Sequence, residues 1–384
     1  MTRALSFALL AVLAVLAWQT VTVRVNYQGN WTGLFRIGSE TKLPDTVAQG
    51  AFRNPDPHGY DGQYYLILAH DPLLRHGAAL YFDAPLLRAR RILVPAAAWA
   101  LAAGRPGFIV GAYVFVILAF IFAGTYWLSL IFMFQGRHPA WALCFLMVPP
   151  VLIAVDSMTI DVAIAALAAG FAWQLITGRV SALWLILAAA GLVRETGLLL
   201  IAACVIASLY QRDWRKTVLW ASASLPALCW YGYLHFALAG IETHLVPSWM
   251  IQNMKLGILL RVFHPLPYPQ FSALIRTALR ILDELALAAI ISAAAMAIAR
   301  LRYVRPLAQK IAMVLFVLLI FSITARGFWS SAYGFSRPFA PLWVLLLAGD
   351  RPRTALMLSL LLDLRVSVEF QSQALRIFEW FVGR

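Results

Sequence analysis

The sequence predicts an all-α, polytopic integral membrane protein in which residues 1–384 form a single membrane domain. Composition is the first reason: hydrophobic residues make up 62% of the chain and charged residues only 12%, whereas soluble proteins carry roughly 25% charged residues. The second is the mean hydropathy of +0.78, to which apolar runs along the whole chain contribute. Segments of this kind cross lipid as helices, because every backbone polar group must be satisfied within the segment.

The charge balance favours membrane lipid over nucleic acid as the partner. The 31 basic residues outnumber the 17 acidic ones, and only four of the basic residues are lysines. Polytopic membrane proteins collect basic residues in cytoplasmic turns and at headgroup level, and no separate basic domain is visible, so nucleic acid is not expected. The three cysteines lie inside apolar runs without metal-ligand spacing; they are Cys144, Cys204 and Cys229.

The first apolar run covers residues 4–23 and is predicted to be a transmembrane helix. A signal peptide is the alternative, but its apolar core would be about 7–15 residues long. Further apolar segments bring the expected total to about 10 to 11 transmembrane helices. They cover residues 92–104, 108–134, 140–155, 159–177, 180–193, 195–210, 217–238, 283–300, 307–323, 339–350 and finally 354–364.

Dense basic turns at 212–216, 300–310 and 351–353 are assigned to the cytoplasm by the positive-inside rule. If every apolar segment crosses the membrane, counting back from these turns puts the N-terminus and residues 24–91 on the wrong sides. One segment must therefore fail to cross. Residues 92–104 are the best candidate, because they make a helix only about 20 Å long against a hydrocarbon core of about 30 Å.

With that segment read as a juxtamembrane or re-entrant helix, residues 24–107 form a long first outer loop. Residues 239–284 form a second outer loop. The expected location is the cell inner (cytoplasmic) membrane, with the active site on the outer, periplasmic face.

The densest candidate for chemistry is the stretch from Asn54 to Pro72 in the first outer loop. Prolines and a glycine predict a turn, and Asp61 then precedes a short amphipathic helix at the membrane surface. Asp61 is a candidate N-cap of that helix. A carboxylate with His58 and Asp56 nearby at the lipid boundary is costly, however, and indicates binding or reaction.

Three short segments resemble motifs of the GT-C fold glycosyltransferases, particularly bacterial relatives of the GPI mannosyltransferases. Residues 59–69, Gly-Tyr-Asp-Gly-Gln-Tyr-Tyr-Leu-Ile-Leu-Ala, resemble the first outer-loop motif, in which Trp or Tyr followed by Asp leads a tyrosine-rich helix. Residues 88–95 resemble the arginine and proline pattern after that loop, and residues 192–200 resemble a Leu-Thr-Arg-x-x-Gly-Leu segment. The resemblance covers about the first 240 residues.

The resemblance implies a GT-C-like fold and an enzyme that transfers a sugar from a polyprenyl-phosphate donor to a glycan, lipid or protein acceptor. It maps the catalytic carboxylate onto Asp61. A general base is needed because an acceptor hydroxyl is a weak nucleophile, and a single base without a covalent intermediate predicts inversion. No cofactor is predicted, and a divalent metal stays open.

Arg337 is the predicted ligand of the departing phosphate, because a guanidinium matches phosphate oxygens; snorkelling at a helix end is the alternative. Arg194 and Glu195 interrupt an apolar run and are interpreted as a mutually neutralising pair that can also face the phosphate. The other predicted substrate-binding residues are His58, Tyr60, Gln63, Tyr64 and Tyr333. Secondary candidates are Asp56, Asp156, Asp161, His244 and His264, with helix capping around Thr159 as the alternative for the Asp156 and Asp161 segment.

Two other functions remain open at this point. A flippase or transporter of a lipid-linked glycan would use the same arginines without a base, and a noncatalytic subunit of envelope assembly would need neither. The pattern of residues 365–384 permits a helix that lies on the membrane or one that packs on the protein body.

Overall fold

The computed structural model describes residues 2–241, 257–323, 328–329 and 331–383. The chain is 76% helical, and the described residues contain no β-strand. The predicted all-α class is therefore confirmed. The α-helices in the described ranges are α1 (Thr2–Asn26), α2 (Asp45–Ala48), α3 (Gly62–His70), α4 (Pro85–Ala89), α5 (Leu93–Leu101), α6 (Pro106–Phe134), α7 (Pro149–Ser157), α8 (Asp161–Thr177), α9 (Val180–Val193), α10 (Leu198–Tyr210), α11 (Trp214–Ser222), α12 (Leu225–Ala237), α13 (Gly257–Phe263), α14 (Ala273–Arg300), α15 (Leu307–Ser322), α16 (Ala340–Leu347), α17 (Pro352–Ser367) and α18 (Gln371–Val382).

Among the residues that the structure describes, three helical segments are long and apolar enough to cross a bilayer: Thr2–Asn26, Pro106–Phe134 and Ala273–Tyr303. A fourth span is possible if Pro139–Met147 and Pro149–Ser157, which meet at 63°, count as one. The chain is thus a helical, membrane-associated protein. Five shorter apolar helices accompany these spans: Asp161–Thr177, Val180–Val193, Glu195–Tyr210, Leu307–Ser322 and Arg337–Leu347.

Two predicted single helices are each found as two pieces. The segment expected at 140–155 is a 3₁₀ helix followed by α7, because Pro149 and Pro150 at the start of α7 supply no N–H for a continuous helix. The segment expected at 217–238 is divided between α11 and α12, and Pro226 lies in the first turn of α12. Prolines are tolerated there because first-turn N–H groups have no partner within the helix.

The second predicted outer loop, 239–284, is shorter than expected because α14 begins at Ala273. The sequence predicts this helix to begin only at residue 283, whereas Asp283 lies inside α14. The structure pairs the buried Asp283 carboxylate with Arg261 at 2.5 Å and Arg365 at 2.7 Å, which neutralises it. The short α5, with nine residues, replaces the predicted segment 92–104 and is about 14 Å long.

The helix bundle has two ends with different contents. We call the end formed by residues 27–91, the C-terminus of α7 and the N-terminus of α8 the loop end. At the far end, Arg300 meets Asp350 at 3.1 Å and Arg137 donates to the Gly349 carbonyl at 2.9 Å. Between the two ends runs α8, whose side chains are almost all buried and which packs against α6, α9 and α16.

Candidate functional site

The first loop holds Asp61 firmly against α7. Gly62, the first residue of α3, leaves no room for a side chain: a Cβ there would overlap the Ser157 carbonyl oxygen and lie 2.8 Å from that of Phe35. The Gln63 amide accepts from the Gly38 N–H at 3.1 Å and donates to the His58 carbonyl at 2.8 Å. This packing fixes the backbone that carries Asp61.

The Asp61 carboxylate makes ion pairs with two arginines from distant parts of the chain. Arg88 Nη1 lies 2.9 Å from Oδ1, and Arg337 Nη1 lies 2.7 Å from Oδ2. Asp61 occupies the N-cap position of α3, but its side chain accepts no capping hydrogen bond. Helix capping is therefore not what this carboxylate does, and the Asp61 side chain is only 18% exposed.

The two arginines extend the contacts into a chain of alternating charges. Arg88 also binds Asp83 through Nε and Nη2, both at 2.8 Å. Arg337 Nε donates to Asp161 at 2.6 Å, and Arg194 donates to the other oxygen of Asp161. We call this set the Asp61 network; its members are Asp83, Arg88, Asp61, Arg337, Asp161 and Arg194. Three arginines balance three carboxylates, as burial of charge requires.

Aromatic side chains surround the network. The Tyr60 hydroxyl accepts a hydrogen bond from Arg337 Nη1 at 2.7 Å, and the Tyr60 and Tyr333 rings pack edge to face with centroids 4.9 Å apart. The Arg88 guanidinium lies 4.6 Å from the centre of the Tyr64 ring, a cation–π distance. The predicted residues Tyr60, Tyr64 and Tyr333 thus lie in the shell around Asp61 and its arginines.

A second ion pair lies next to this shell. Arg36 pairs with the buried Asp156, and the Tyr333 hydroxyl donates to the same carboxylate at 3.3 Å. The Gln373 amide, oriented by its hydrogen-bond partners, donates to Asp156 at 2.9 Å and accepts from Arg36 and from the Tyr27 hydroxyl. A residue near the end of the described chain therefore completes a pair formed by the first loop and α7.

The interpretation of Arg194 and Glu195 as a mutual pair is wrong. Arg194 binds Asp161, whereas Glu195 is held by Arg91 at 2.6 Å. Arg91 also donates to the Tyr65 hydroxyl at 3.1 Å. The backbone explains the separation: Arg194 ends α9 in an extended conformation and Glu195 starts a 3₁₀ turn, so the two side chains leave the chain in different directions.

The electrostatics of Asp61 follow from its surroundings. Burial alone would raise the pKa of its carboxyl, but Arg88, Arg337 and Arg91 together hold that pKa well below its usual range. Burial and the nearby Asp83 carboxylate raise the pKa of Tyr64 to about 12. At neutral pH, therefore, Asp61 is a carboxylate and Tyr64 a neutral phenol.

Several other predicted residues lie apart from the network. His58 and Asp56 are exposed, and the Asp56 carboxylate accepts the His58 backbone N–H at 3.0 Å within the turn. Gln63 is buried and joins parts of the loop to each other, so it is not placed to bind a substrate. His264 is exposed after α13, and His244 lies outside the described residues.

Helix capping does not explain the segment that contains Asp156 and Asp161 either. The N-cap of α8 is Ile160, and the buried Thr159 hydroxyl has no hydrogen-bond partner in the described structure. Both carboxylates are used for arginine pairs instead.

Sequence reasoning missed several members of the site. Arg36, Asp83 and Gln373 gave no signal in the sequence, because none of them belongs to a motif or a charge cluster that distinguishes it from its neighbours. A signal did exist for Arg88 and Arg91: with Arg90 they form an arginine cluster directly before an apolar segment. In a loop predicted to lie outside, such a cluster departs from the positive-inside rule and indicates a specific role for its arginines.

In the Asp61 network and the neighbouring Arg36 pair, three arginine nitrogens are buried and have no hydrogen-bond partner among the described residues: Arg337 Nη2, Arg194 Nε and Arg36 Nε. Each is a donor whose hydrogen-bonding capacity is unused there. Among the described residues, no group of three or more His, Cys, Asp or Glu side chains is arranged so that it could hold a metal ion. Asp61 does not line either of two surface clefts. One cleft lies along residues 101–115, and the other lies between residues 180–185 and residues 219–222.

The fold and site together define a membrane-associated, all-helical protein with a buried arginine and carboxylate network at one end of its bundle. Comparisons with known protein families, with curated proteins and with solved structures find no match to this chain.

Proposed function

We propose that the protein is an inverting GT-C type glycosyltransferase of the inner membrane. It would take a sugar from a polyprenyl-phosphate donor and pass it to a glycan, lipid or protein acceptor on the outer face, with Asp61 as general base. The proposal combines the motif resemblance of residues 59–69 with the position of Asp61 between Arg88 and Arg337.

The proposed topology has ten or eleven crossings. Contacts at the helix termini support this topology. Phe7, near the start of α1, packs against His138 at the far end of the bundle, and Tyr27, directly after α1, contacts Gln373 at the loop end. α17 likewise begins near Asp350 and ends at Arg365, which binds Asp283. The shorter apolar helices would then cross within the bundle, where neighbouring helices shield their ends.

One observation carries the enzymatic proposal: Arg337 is paired with Asp61 through Nη1, while its Nη2 is buried and has no partner among the described residues. A phosphate contacting both nitrogens would satisfy the vacant donor and compete with Asp61 for the other. The network carries no surplus positive charge, so an anion that binds here must displace a carboxylate from an arginine.

Displacement has a chemical consequence for Asp61. A carboxylate held by two arginines is a weak base, because efficient general bases have a pKa near the working pH. When phosphate takes over Arg337, the pKa of Asp61 rises and the carboxylate becomes available. In the proposed step the acceptor oxygen bonds to the anomeric carbon and gives its proton to Asp61. The bond from that carbon to the phosphate oxygen breaks, and its electron pair leaves with the phosphate, stabilised by arginine.

The test is transfer of radiolabelled sugar from a synthetic polyprenyl-phosphate sugar to an acceptor extract by the purified protein in proteoliposomes. We expect Asp61→Asn to lower the transfer rate at least about 100-fold, the loss typical of a missing general base. Asp56→Asn is the matched control, because it removes an exposed carboxylate from the same loop and should leave the rate unchanged.

Equal transfer by wild type and Asp61→Asn would remove the base from the mechanism. Absence of transfer by the wild type, together with movement of a fluorescent lipid-linked glycan between leaflets, would favour the flippase. If neither activity is present and neutral substitutions at Asp61 and Arg337 are both tolerated, an assembly subunit fits better.

A further inference from the structure

The C-terminal helix α18 has three distinct faces. At 100° per residue, Gln373 and Ile377 share the face that is buried against the body. Ser372, Arg376 and Glu379 form a polar face. Leu375, Phe378 and Phe381 lie between these faces on the other side, and they are 58%, 65% and 68% exposed.

The buried face joins α18 to the Arg36 and Asp156 pair. Gln373 is 4% exposed and contacts Arg36, Asp156 and Tyr27 at once. A charged pair with a buried amide partner is strongly oriented, since hydrogen bonds to charged groups contribute more than neutral ones. The position of α18 is therefore coupled to the orientation of Arg36.

The level of α18 along the bundle indicates what covers its apolar face. Gln373 contacts Tyr27, which directly follows the last residue of α1, and Arg24 lies 6.0 Å from the centre of the Trp380 ring. Because α1 is a 25-residue apolar helix, long enough to cross a bilayer, its end marks the edge of the hydrocarbon. Helices at this level with aromatic and aliphatic residues on one face lie in the plane of the interface.

We propose that α18 lies in the membrane–water interface at the loop end, with Leu375, Phe378 and Phe381 in the lipid. This contact holds Gln373 against Arg36 and Asp156. The partner is a bilayer surface bound through apolar side chains, and a zwitterionic bilayer is sufficient because Arg376 and Glu379 on α18 balance each other. The inference concerns membrane contact and stands whether or not the protein transfers sugar.

Spin-label depth measures the first part. In full-length protein carrying Cys144→Ala, Cys204→Ala and Cys229→Ala, reconstituted in phosphatidylcholine vesicles, a nitroxide is attached at Phe378→Cys or, as the matched control, at Ser372→Cys. We expect the label at 378 to lie about 5–10 Å below the headgroup boundary and the label at 372 to be in water. Equal water exposure of both labels would overturn the proposal, and so would dipolar broadening showing that a second copy covers the face.

Hydrogen exchange measures the coupling in protein that keeps its cysteines. Phe378→Asp should pull α18 out of the interface and raise amide exchange in residues 31–37 about tenfold, as expected when hydrogen bonds to a charged group are lost. Ser372→Asp adds the same charge to the polar face and should leave exchange unchanged. If both variants behave like the wild type, α18 does not hold Arg36 through the membrane.

Discussion

Asp161 and Asp350 show how differently two carboxylates act in this chain. Asp161 is 0% exposed and is shared by Arg194 and Arg337, whereas the Asp350 side chain is 38% exposed and pairs only with Arg300. Removing one partner of a buried pair leaves charges without compensation, while an exposed pair is screened by water. The contribution of each carboxylate to stability therefore depends on its burial.

We expect Asp161→Asn to destabilise the protein by about 3–5 kcal/mol, because two buried arginines would share an amide that cannot neutralise them. Asp350→Asn should cost no more than about 1 kcal/mol. Thermal unfolding in detergent, compared for the two variants, measures the difference. Similar midpoints for both would mean that the Asp61 network contributes little to folding.

The pH dependence of the proposed sugar transfer gives a test of anion exchange at Asp61. Arg88, Arg337 and Arg91 keep the pKa of Asp61 well below the usual range against the opposing effect of burial, so the free protein keeps the carboxylate ionised throughout pH 5–8. A lowered pKa means that protonation begins only below the ordinary value near 4. We therefore expect kcat/KM, which reports the free enzyme, to show no acid limb from Asp61 in this range.

In the proposed donor complex, phosphate on Arg337 would raise the pKa of Asp61, and the acid limb of kcat should therefore move to higher pH than that of kcat/KM. Both profiles come from initial rates of sugar transfer between pH 4 and pH 9. Identical acid limbs would contradict displacement of Asp61 by the phosphate and would leave the assignment of the base itself to the Asp61→Asn experiment.

At the scale of elements, the position of Asp61 depends on how closely α3 approaches α7. The start of α3 touches the Ser157 and Phe35 carbonyls through Gly62, and such an approach is possible only without a Cβ. Gly232 in α12 is a contrast, because a Cβ there meets nothing within 4 Å.

We expect Gly62→Ala to destabilise the protein, because the methyl group would push backbone atoms that cannot move independently. Gly232→Ala should be neutral or stabilising by up to about 1 kcal/mol, since alanine favours the helix. Thermal midpoints of the two variants provide the measurement. A neutral Gly62→Ala would show that α3 can shift away from α7 without cost.

Sequence periodicity and composition predicted helices well, and contacts between helices poorly. Hydropathy is a local property, so the apolar segments and the all-α class were visible. The breaks at Pro149 and Pro226 were overlooked because the apolar composition continues through both prolines. The Arg337 and Asp61 contact joins residues 276 positions apart, and that of Arg91 with Glu195 spans 104. No local pattern specifies such partners, which explains the error at Arg194 and Glu195.

At the scale of the whole molecule, the arginine and carboxylate networks lie at the loop end. Several turns at the far end carry basic side chains that do not belong to such networks. Grouping Asp61, Arg194 and Arg337 on one side was possible from charge counting alone. Counting charges predicts a side for each segment, whereas the distances inside the site depend on how the helices pack.

Cysteine labelling tests this arrangement in intact cells. In protein lacking the native cysteines, Asp56→Cys should react with a membrane-impermeant maleimide added outside, because Asp56 is exposed at the loop end. Arg212→Cys, in a basic turn assigned to the cytoplasm, should react only after permeabilisation. Labelling of both from outside would contradict an odd number of crossings between them.

The Asp61 network also has a consequence for biogenesis. Its members come from the first loop, from α8, from the end of α9 and from residue 337, so no partly inserted chain can complete it. Until residue 337 arrives, three carboxylates share the two arginines Arg88 and Arg194, and the surplus negative charge near lipid is costly. Insertion of the last helices therefore neutralises charge that a shorter chain leaves uncompensated.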